Sequence, residues 1–176
     1  LRPIRFEDAS SMLTYFSDAN TCRYIPWEPR DLDGVIAFLD KWANGSLPTE
    51  SGSSLILGIE LAGTGLIGQL NVSLASKEHG HAEIGYVLNP DFTGNGYATE
   101  AVVGLIDYLD ESLDLHRITA YVDERNAASI KLLEALGFRL EARLVENEFA
   151  KGEWVTMLIF AMLTSDWAQA RSAASR

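Results

Sequence analysis

The chain has very little cysteine, since Cys22 is the single one in 176 residues. One cysteine cannot form an internal disulfide, and this favours a reducing compartment. The chain shows no charged stub followed by an apolar stretch, as a secretory signal would have. Its longest apolar stretch, Val155 to Leu163, is interrupted by Thr156 and spans about half of the roughly 20 residues of a membrane helix. We therefore expect no membrane span and a cytoplasmic protein.

Positive charge is also scarce. The chain has 14 Lys and Arg against 25 Asp and Glu, a formal net charge of −11. Affinity for nucleic-acid backbones comes mainly from clustered cations, so this composition disfavours a nucleic-acid partner. A cationic partner is the easier expectation, although net charge does not reveal where the carboxylates lie.

Proline is rare, with 5 residues, and 14 glycines are too few for a low-complexity chain. Hydrophobic residues make up 47% and charged residues 22%, which is typical of a packed globular protein and not of a disordered one. The length predicts a single domain over residues 1–176. Its last part, from about residue 168, is small and polar enough that we expect it to fray.

Hydrophobic periodicity predicts a mixed-sheet α/β or α+β domain. A stripe from Leu32 to Trp42 behind Asp31 is typical of a capped amphipathic helix, and a shorter helix precedes it around Met12 to Phe16. Alternating patterns then predict strands, and two further helices separate the later ones. The predicted later elements are strands 54–61, 66–75 and 81–88, a helix after 96, a strand 117–122, a helix 126–136, and strands 139–149 and 153–163.

The first glycine motif, Gly63, Gly65 and Gly68, has the letters of a dinucleotide-binding fingerprint. That fingerprint requires a helix to begin at the third glycine, with its N-terminus facing a pyrophosphate. Here Gln69 to Ala75 alternates like a strand. The motif therefore predicts a hairpin and not a nucleotide site.

The second glycine loop, Phe92 to Ala98, lies between a strand and the strongest helix pattern in the chain. Two glycines allow the backbone N–H groups to converge, and the helix dipole adds positive potential at the same end. An acidic protein can bind an anion in this way without basic side chains. An ordinary strand-to-helix turn is the alternative interpretation of the loop alone.

Several segments together resemble the GNAT superfamily of acyl-CoA-dependent N-acyltransferases. They are Ala82 to Tyr86 (AEIGY), Gly94 to Ala101 (GNGYATEA), Asn126 to Ser129 (NAAS) and Leu136 to Phe138 (LGF). Within that superfamily the chain is similar to the branch that acetylates N-terminal amines of ribosomal proteins. The segments that suggest this branch are Leu1 to Pro3, Tyr24 to Trp27 and Lys151 to Trp154.

The resemblance implies a mixed, mostly antiparallel sheet with helices on both faces, and a splayed strand pair that holds acetyl-CoA. It implies that the glycine loop contacts the pyrophosphate, and that a strand end pairs its backbone with the pantetheine arm. Thr93 stands where the family usually has Arg or Gln, so one side-chain contact to phosphate is expected to be lost. The residues concerned are Gly94, Asn95, Gly96, Tyr97 and Ala98 for the loop, and Val87 and Leu88 for the strand end.

The predicted helix after Asn126 carries three further candidates. Asn126 and Ser129 are three residues apart and share a helix face, and the resemblance implies a cofactor contact for the Asn and an acid role for the Ser. Helix capping is the alternative role of Asn126, and a surface hydroxyl that of Ser129. Lys131 is a candidate contact for the 3′-phosphate of the cofactor, or a solvated lysine. Leu133 occupies the position where many relatives have a tyrosine acid, which rules out that donor here.

Acetyl transfer to an amine requires a neutral nitrogen, so a base must accept a proton first. Glu83 is the sole carboxylate in its predicted strand, and the resembling position is the general base of several relatives. An N–H at Val87 or Leu88 is expected to face the thioester carbonyl oxygen as negative charge develops there. This chemistry needs no metal. His79 and His81 lack an evident third ligand and are better explained as a polar turn that leads into a strand.

The acceptor is expected to be a primary amine. The resemblance places Tyr24 and Trp27 on one wall of the acceptor pocket, and core packing is their alternative role. The expected substrate is a protein or peptide N-terminal amine, with a small-molecule amine as the alternative and a cationic acceptor favoured by the net charge. A non-catalytic acyl-CoA-binding module and a homodimer stay open.

Overall fold

A seven-stranded sheet forms the centre of the computed structural model, which describes residues 1–174. Its strand order is β1-β2-β3-β4-β5-β7-β6, and every neighbouring pair is antiparallel except β4 and β5. This confirms the expected mixed, mostly antiparallel sheet. The strands are β1 (Arg2–Pro3), β2 (Ser54–Leu61), β3 (Gly65–Ser76), β4 (His81–Leu88), β5 (Arg117–Asp123), β6 (Arg139–Ala150) and β7 (Glu153–Leu163).

Helices cover both faces of the sheet. One core packs α4 and α5 against residues such as Leu70 and Ile118, and a second core packs α1 and α3 around Met12, Phe16 and Leu39. No helix among the described residues combines the length and apolarity that a bilayer span requires. The helices are α1 (Ala9–Phe16), α2 (Ala19–Cys22), α3 (Leu32–Trp42), α4 (Tyr97–Ser112), α5 (Ala127–Ala135) and α6 (Thr164–Ala174), with 3₁₀ turns at Phe6–Asp8 and Pro90–Phe92.

The splay between β4 and β5 determines where the functional cleft opens. The two strands pair in parallel at only three positions, from His81 opposite Arg117 to Glu83 opposite Thr119. Beyond these positions β4 continues to Leu88 and β5 to Asp123 without pairing with each other, although β4 stays paired with β3 and β5 with β7. Unpaired edges leave backbone N–H and C=O groups available to another chain or ligand. The sheet therefore has a gap at its centre, as the resemblance implies.

Local sequence signals explain the helix boundaries. The Asp31 carboxylate accepts a hydrogen bond of 2.9 Å from the Gly34 N–H, which caps α3 as predicted. Helix α4 begins after Gly96, whose φ of 82° lies in the left-handed region. Gly137 follows α5 with φ 87°, again the conformation that glycine adopts without strain.

The first glycine motif lies in the β2–β3 hairpin, as predicted. Gly63 and Gly65 have positive φ angles of 77° and 103° at the turn. Gly68 lies in β3 opposite Leu88, and a Cβ there would come within 2.5 Å of the Val87 carbonyl oxygen. The third glycine thus permits close strand pairing and does not begin a helix.

The segment from about residue 168, which the sequence predicts to fray, belongs to α6 as far as Ala174. The start of this helix has a tertiary anchor that local polarity does not reveal. Trp167 is buried, and its Nε1–H donates to Asp107 on α4 over 2.9 Å. Arg171 donates to the same carboxylate over 2.8 Å. The last two residues of the predicted tail, 175 and 176, lie outside the described residues.

Candidate active site

Two cavities meet at the splay between β4 and β5. The larger has a volume of about 950 Å³ and lies between the sheet, the α2–α3 segment and the β6–β7 turn. The smaller, of about 610 Å³, lies between the end of β4, the start of α4 and α5. These volumes are in the range of small-ligand sites. Six residues line both cavities: Tyr24, Ile25, Tyr86, Val87, Asn126 and Ser129.

The start of α4 forms one end of the smaller cavity. Its N-cap, Gly96, has no side chain, and the first three helical N–H groups, at Tyr97, Ala98 and Thr99, donate to no protein acceptor in the described part of the chain. Gly94 and Gly96 have φ angles of 78° and 82°, and a Cβ on either would meet nothing within 4 Å. Uncapped N–H groups beside open space at a helix N-terminus fit a pyrophosphate.

Two polar side chains of the glycine loop are engaged within the loop itself. The Thr93 hydroxyl donates to the Pro90 carbonyl over 2.8 Å. The Asn95 amide donates to the carbonyls of Phe92 and Thr93, and Asn95 does not line the smaller cavity. Any contact of Asn95 with a phosphate would therefore come from its backbone. The side chain instead holds the loop in shape.

The end of β4 has two edges that face different neighbours. The Asn89 N–H donates to Ile67 on β3 over 2.8 Å, and backbone direction alternates along a strand. Val87 consequently directs its N–H and C=O toward β3, where it pairs with Gln69, and Leu88 directs its own toward the gap. Of the two residues predicted to offer an N–H, Leu88 is the one whose backbone is available.

Helix α5 brings its candidate residues to the cavities in different ways. The Asn126 Oδ1 accepts a hydrogen bond of 3.2 Å from the Ser129 N–H, so Asn126 caps the helix while it also lines both cavities. Ser129 lies at the junction of the cavities. Lys131 is exposed and borders the smaller cavity. Leu133 is fully buried in the core, so that position does not face the cleft.

Glu83 lies on the wall of the larger cavity, where the parallel pairing of β4 with β5 ends. Its nearest strand neighbours are Ser73 on β3 and Thr119 on β5. The carboxylate has no hydrogen bond or ion pair with any described residue, and burial raises its pKa above the ordinary value for glutamate. A half-buried carboxylate without a partner, with its pKa raised in this way, is suited to act as a proton acceptor.

The sequence reasoning did not identify Tyr86, whose hydroxyl lies at the same junction. It donates to the Ser129 carbonyl over a long 3.3 Å, and burial raises the pKa of the phenol to about 12. The phenol therefore keeps its proton throughout the neutral range. The available signal was its place in the segment AEIGY, three residues beyond Glu83 on the strand that splays. Tyr86 is a second candidate donor beside Ser129.

One wall of the larger cavity is built from the segment after α2. Tyr24 and Trp27, the two residues predicted for the acceptor pocket, both line it. The Arg125 guanidinium lies 5.8 Å from the Tyr24 ring centroid and forms ion pairs of 2.6 Å with Asp123 and with Glu153. These contacts fix the tyrosine ring against β5 and the β6–β7 hairpin.

A second residue absent from the predicted site, Lys151, connects opposite walls of the larger cavity. It lies in the two-residue turn between β6 and β7 with φ 53°. Its ammonium donates to the carbonyls of Cys22 and Ile25, the latter over 3.0 Å. The Lys-Gly pair signals the turn, but nothing local signals a contact with residues more than 120 positions away.

His81 and Cys22 have structural partners. The His81 Nε2 lies 2.9 Å from the Thr119 hydroxyl, and burial together with Arg117 lowers the histidine pKa. Among the described residues, no group of three or more His, Cys, Asp or Glu side chains is arranged to hold a metal ion. Cys22 is buried, its thiol lies 3.4 Å from the Phe16 carbonyl, and burial raises its pKa. A thiol in such a place is a poor nucleophile.

Comparison with known proteins agrees with this geometry. A family model described as an acetyltransferase (GNAT) domain matches residues 1–139. An uncharacterized N-acetyltransferase, p20 of Bacillus licheniformis, is 35% identical over 96% of this chain and 94% of its own length. A solved GNAT-family acetyltransferase from Bacillus anthracis superposes with a TM-score of 0.83 at 27% identity, covering 93% of each chain.

Two more distant relatives carry named acceptors. The spermidine N(1)-acetyltransferase of Escherichia coli is 24% identical over 91% of this chain and 84% of its own length. The ribosomal protein uS5-alanine N-acetyltransferase of Escherichia coli is 31% identical, but over only 60% of this chain and 55% of its own length. The expected similarity to the ribosomal-protein branch is thus supported by a partial match alone.

Proposed function

Because the chain belongs to the GNAT family of acetyltransferases, and is an N-acetyltransferase that takes its acetyl group from acetyl-CoA, we propose that its acceptor is the primary amine of a small molecule. The observation that carries this proposal is the junction of the two cavities beside Glu83. One cavity fits the donor, the other fits a small acceptor, and Ser129 and Tyr86 line both.

The smaller cavity is suited to the donor. The uncapped N–H groups of Tyr97, Ala98 and Thr99 would hold the pyrophosphate, and the exposed Lys131 would approach a further phosphate. The gap-facing backbone of Leu88 would pair with the amide groups of the pantetheine arm. Acetyl-CoA supplies an activated acetyl group as a thioester.

The residues at the junction divide the proton transfers between them. Glu83 accepts the proton that the ammonium of the acceptor must lose, directly or through water, and the neutral nitrogen then forms the new C–N bond. The Leu88 N–H faces the carbonyl oxygen as its negative charge grows. As the C–S bond breaks, Tyr86 or Ser129 donates a hydrogen bond to the departing sulfur. A proton then completes the free thiol of CoA.

Two observations support a small acceptor. The cavity beside Glu83 has a volume of about 950 Å³, and Lys151 ties its β6–β7 wall to the α2 segment. The spermidine acetyltransferase, which aligns along most of this chain, is named for a small-molecule acceptor. A protein or peptide N-terminal amine, the acceptor expected from the sequence, is the second candidate and is supported by the partial match to the uS5-alanine enzyme.

The test is a screen of thiol release from acetyl-CoA by the purified protein. The acceptor panel contains small mono- and diamines, amino acids, polyamines and short peptides with free N-termini. Release that depends on a small amine, with an acetylated product seen by mass spectrometry, is the expected result. Release with peptides alone would favour the second candidate. Thermal stabilisation by acetyl-CoA without release by any amine would instead indicate a non-catalytic acyl-CoA-binding module.

A further inference from the structure

The larger cavity is not acidic, although the chain as a whole carries a net charge of −11. Two of the carboxylates that line it, Asp123 and Glu153, form ion pairs with Arg125. Glu148 is exposed, so Glu83 is the one half-buried carboxylate on this wall that lacks an ion pair among the described residues. The expectation of a cationic acceptor, drawn from net charge, therefore receives no support from the cavity itself.

Three cations line the side of this cavity formed by the α2–α3 segment and α3. They are Arg23, Arg30 and Lys41, and none of them forms an ion pair within the described part of the chain. The other cations on the cavity wall have polar partners, since Arg125 binds carboxylates and Lys151 binds carbonyls. Arg23 and Lys41 are exposed to solvent, so Arg30 is the one half-buried cation on this wall that lacks an ion pair among the described residues.

Arg30 is the most constrained of the three. Its guanidinium carbon lies 5.5 Å from the ring centroid of Phe16, 5.7 Å from Trp27 and 5.2 Å from Phe38. These rings hold the guanidinium in place but offer it no lone pair, and its five N–H donors find no acceptor among the described residues. A half-buried guanidinium with this geometry is typical of a carboxylate or phosphate site.

A second donor nearby also lacks a partner. The Trp27 Nε1 is buried without an acceptor among the described residues, and its ring is one of the three against Arg30. That nitrogen is closed to solvent, so it does not itself offer a hydrogen bond to a ligand in the cavity. Across the cavity the sheet offers neutral groups, such as the Ser54 and Ser73 hydroxyls, which lie 2.7 Å apart.

From this arrangement we infer that the acceptor is a small amine that also carries a carboxylate, as an amino acid does. This inference rests on the proposed function and narrows its substrate class. The carboxylate binds the Arg30 fork, and the amine extends toward Glu83 and the junction with the donor cavity. A polyamine lacks a group for this wall and would bring a second ammonium toward Arg23, Arg30 and Lys41. During transfer the ammonium of the acceptor first loses one proton to Glu83, which releases it to solvent. The neutral nitrogen then forms the C–N bond as the C–S bond breaks, and the second proton lost from nitrogen ends on the CoA thiol.

The test compares matched acceptors. Thiol release is measured with α- and ω-amino acids of several lengths, with their carboxamides, and with spermidine. Rates are compared at equal concentrations of unprotonated amine, because an amide lowers the basicity of its α-amine. At least one amino acid is expected to exceed its amide about tenfold or more in kcat/KM, in line with a charge-assisted hydrogen bond. Equal rates for every acid and amide pair, or the fastest rate with spermidine, would overturn the inference but leave the proposed function intact.

Variants of Arg30 assign the preference to this residue. Arg30→Met keeps an apolar side chain between the three rings and removes the charge, and it is expected to lower kcat/KM for the amino acid roughly 10- to 100-fold while the amide changes less than about threefold. Arg30→Lys retains the charge without the fork and should fall between the two. Arg139→Gln, which removes an arginine paired with Asp166 away from both cavities, is the charge-matched control.

The results for the Arg30 variants distinguish a residue that binds the acceptor carboxylate from one that only supports the fold. Melting temperatures measured beside the kinetics show whether a variant is folded, and Arg30→Lys serves if Arg30→Met is not. Loss of activity with acid and amide alike in a folded variant would make Arg30 a structural residue and contradict the inference. Absence of thiol release with every amine, despite binding of acetyl-CoA, would contradict the proposed function itself.

Discussion

Glu83 carries the clearest prediction at the scale of the single residue. Glu83→Gln removes the base without changing the volume, and kcat/KM is expected to fall by about 10²-fold or more. The pH profile separates this role from a structural one. If Glu83 takes the proton from the bound ammonium, log kcat/KM of the wild type is flat below the amine pKa and falls with a slope of one only below the raised pKa of Glu83. Glu83→Gln must take up the amine already unprotonated, so its profile keeps a slope of one throughout. A wild-type slope of one throughout would argue against the base, and Glu78→Gln, an exposed turn residue, is the control.

Glu83→Gln is expected to lower activity but to raise the stability of the fold. Burial raises the pKa of Glu83 above its unfolded value of about 4.5, so the folded state binds the proton more tightly than the unfolded state. Stability therefore falls as pH rises through the interval from the unfolded to the folded pKa, and above it the ionised side chain stays unfavourable. Glu83→Gln should melt higher than the wild type at pH 8, and the difference should vanish below about pH 4. A lower melting temperature at pH 8 would contradict this account.

Tyr86 and Ser129 can be distinguished by deletion of one hydroxyl at a time. The Tyr86 phenol, with its pKa raised to about 12, stays protonated and can donate to the departing sulfur across the assay range. Tyr86→Phe should lower kcat about tenfold, the value of one hydrogen bond to a charged group, with little change in KM for acetyl-CoA. Ser129→Ala should cost less if Tyr86 is the main donor. A larger loss of kcat in Ser129→Ala than in Tyr86→Phe would assign that role to Ser129. If both variants keep the wild-type kcat, neither hydroxyl is the donor.

At the scale of elements, the contact between Lys151 and the α2 segment forms one boundary of the acceptor cavity. Lys151→Ala removes the hydrogen bonds to Cys22 and Ile25 and should raise KM for the amine roughly tenfold with kcat nearly unchanged. Lys151→Gly is the matched variant, because it also relieves a left-handed backbone that costs a non-glycine residue about 1–2 kcal/mol. Both variants should share the raised KM. A wild-type KM in Lys151→Gly would show that these hydrogen bonds are not needed for binding of the amine and would contradict this prediction.

Elements whose signals are local were predictable from the sequence. Each of these signals depends on residues within a few positions of one another. They are the Asp31 N-cap of α3, the apolar face of that helix, the β2–β3 hairpin and the end of α5 at Gly137. The four-residue helix α2 and the helix α6 were not predicted. Helix α6 depends on burial of Trp167 against α4, and no pattern within that segment indicates the contact.

The candidate site divides in the same way. Some site residues lie in short contiguous segments that resemble the motifs of the family, and these could be predicted. They are Glu83, Ser129 and the glycine loop, and the structure brings them to two adjoining cavities. The places of Tyr86 and Arg30 in the site could not be predicted from the sequence, because each depends on the tertiary structure. The first depends on the splay that ends the β4–β5 pairing, and the second on three rings contributed by α1, the segment after α2, and α3.

At the scale of the whole molecule, the surplus of negative charge lies outside the larger cavity, which we propose to hold the acceptor. Part of it lies on and after α4, whose exposed carboxylates include Glu100, Asp110, Glu111 and Asp114. The same helix presents the uncapped N–H groups at its start. The donor site thus combines a favourable local potential with a long-range field of the opposite sign.

This opposition predicts how salt affects binding of the donor. Acetyl-CoA is strongly anionic, and at about 0.01 M salt, where the Debye length is about 30 Å, the net charge of −11 repels it during approach. At about 0.15 M salt the length falls to about 8 Å, so repulsion is screened while contacts at the helix start persist. The association rate constant, measured by stopped-flow fluorescence, should therefore rise with salt. Lys131→Gln should keep this upward trend and dissociate faster. A rate constant that falls with salt would show that a local basic field around Lys131 dominates the approach.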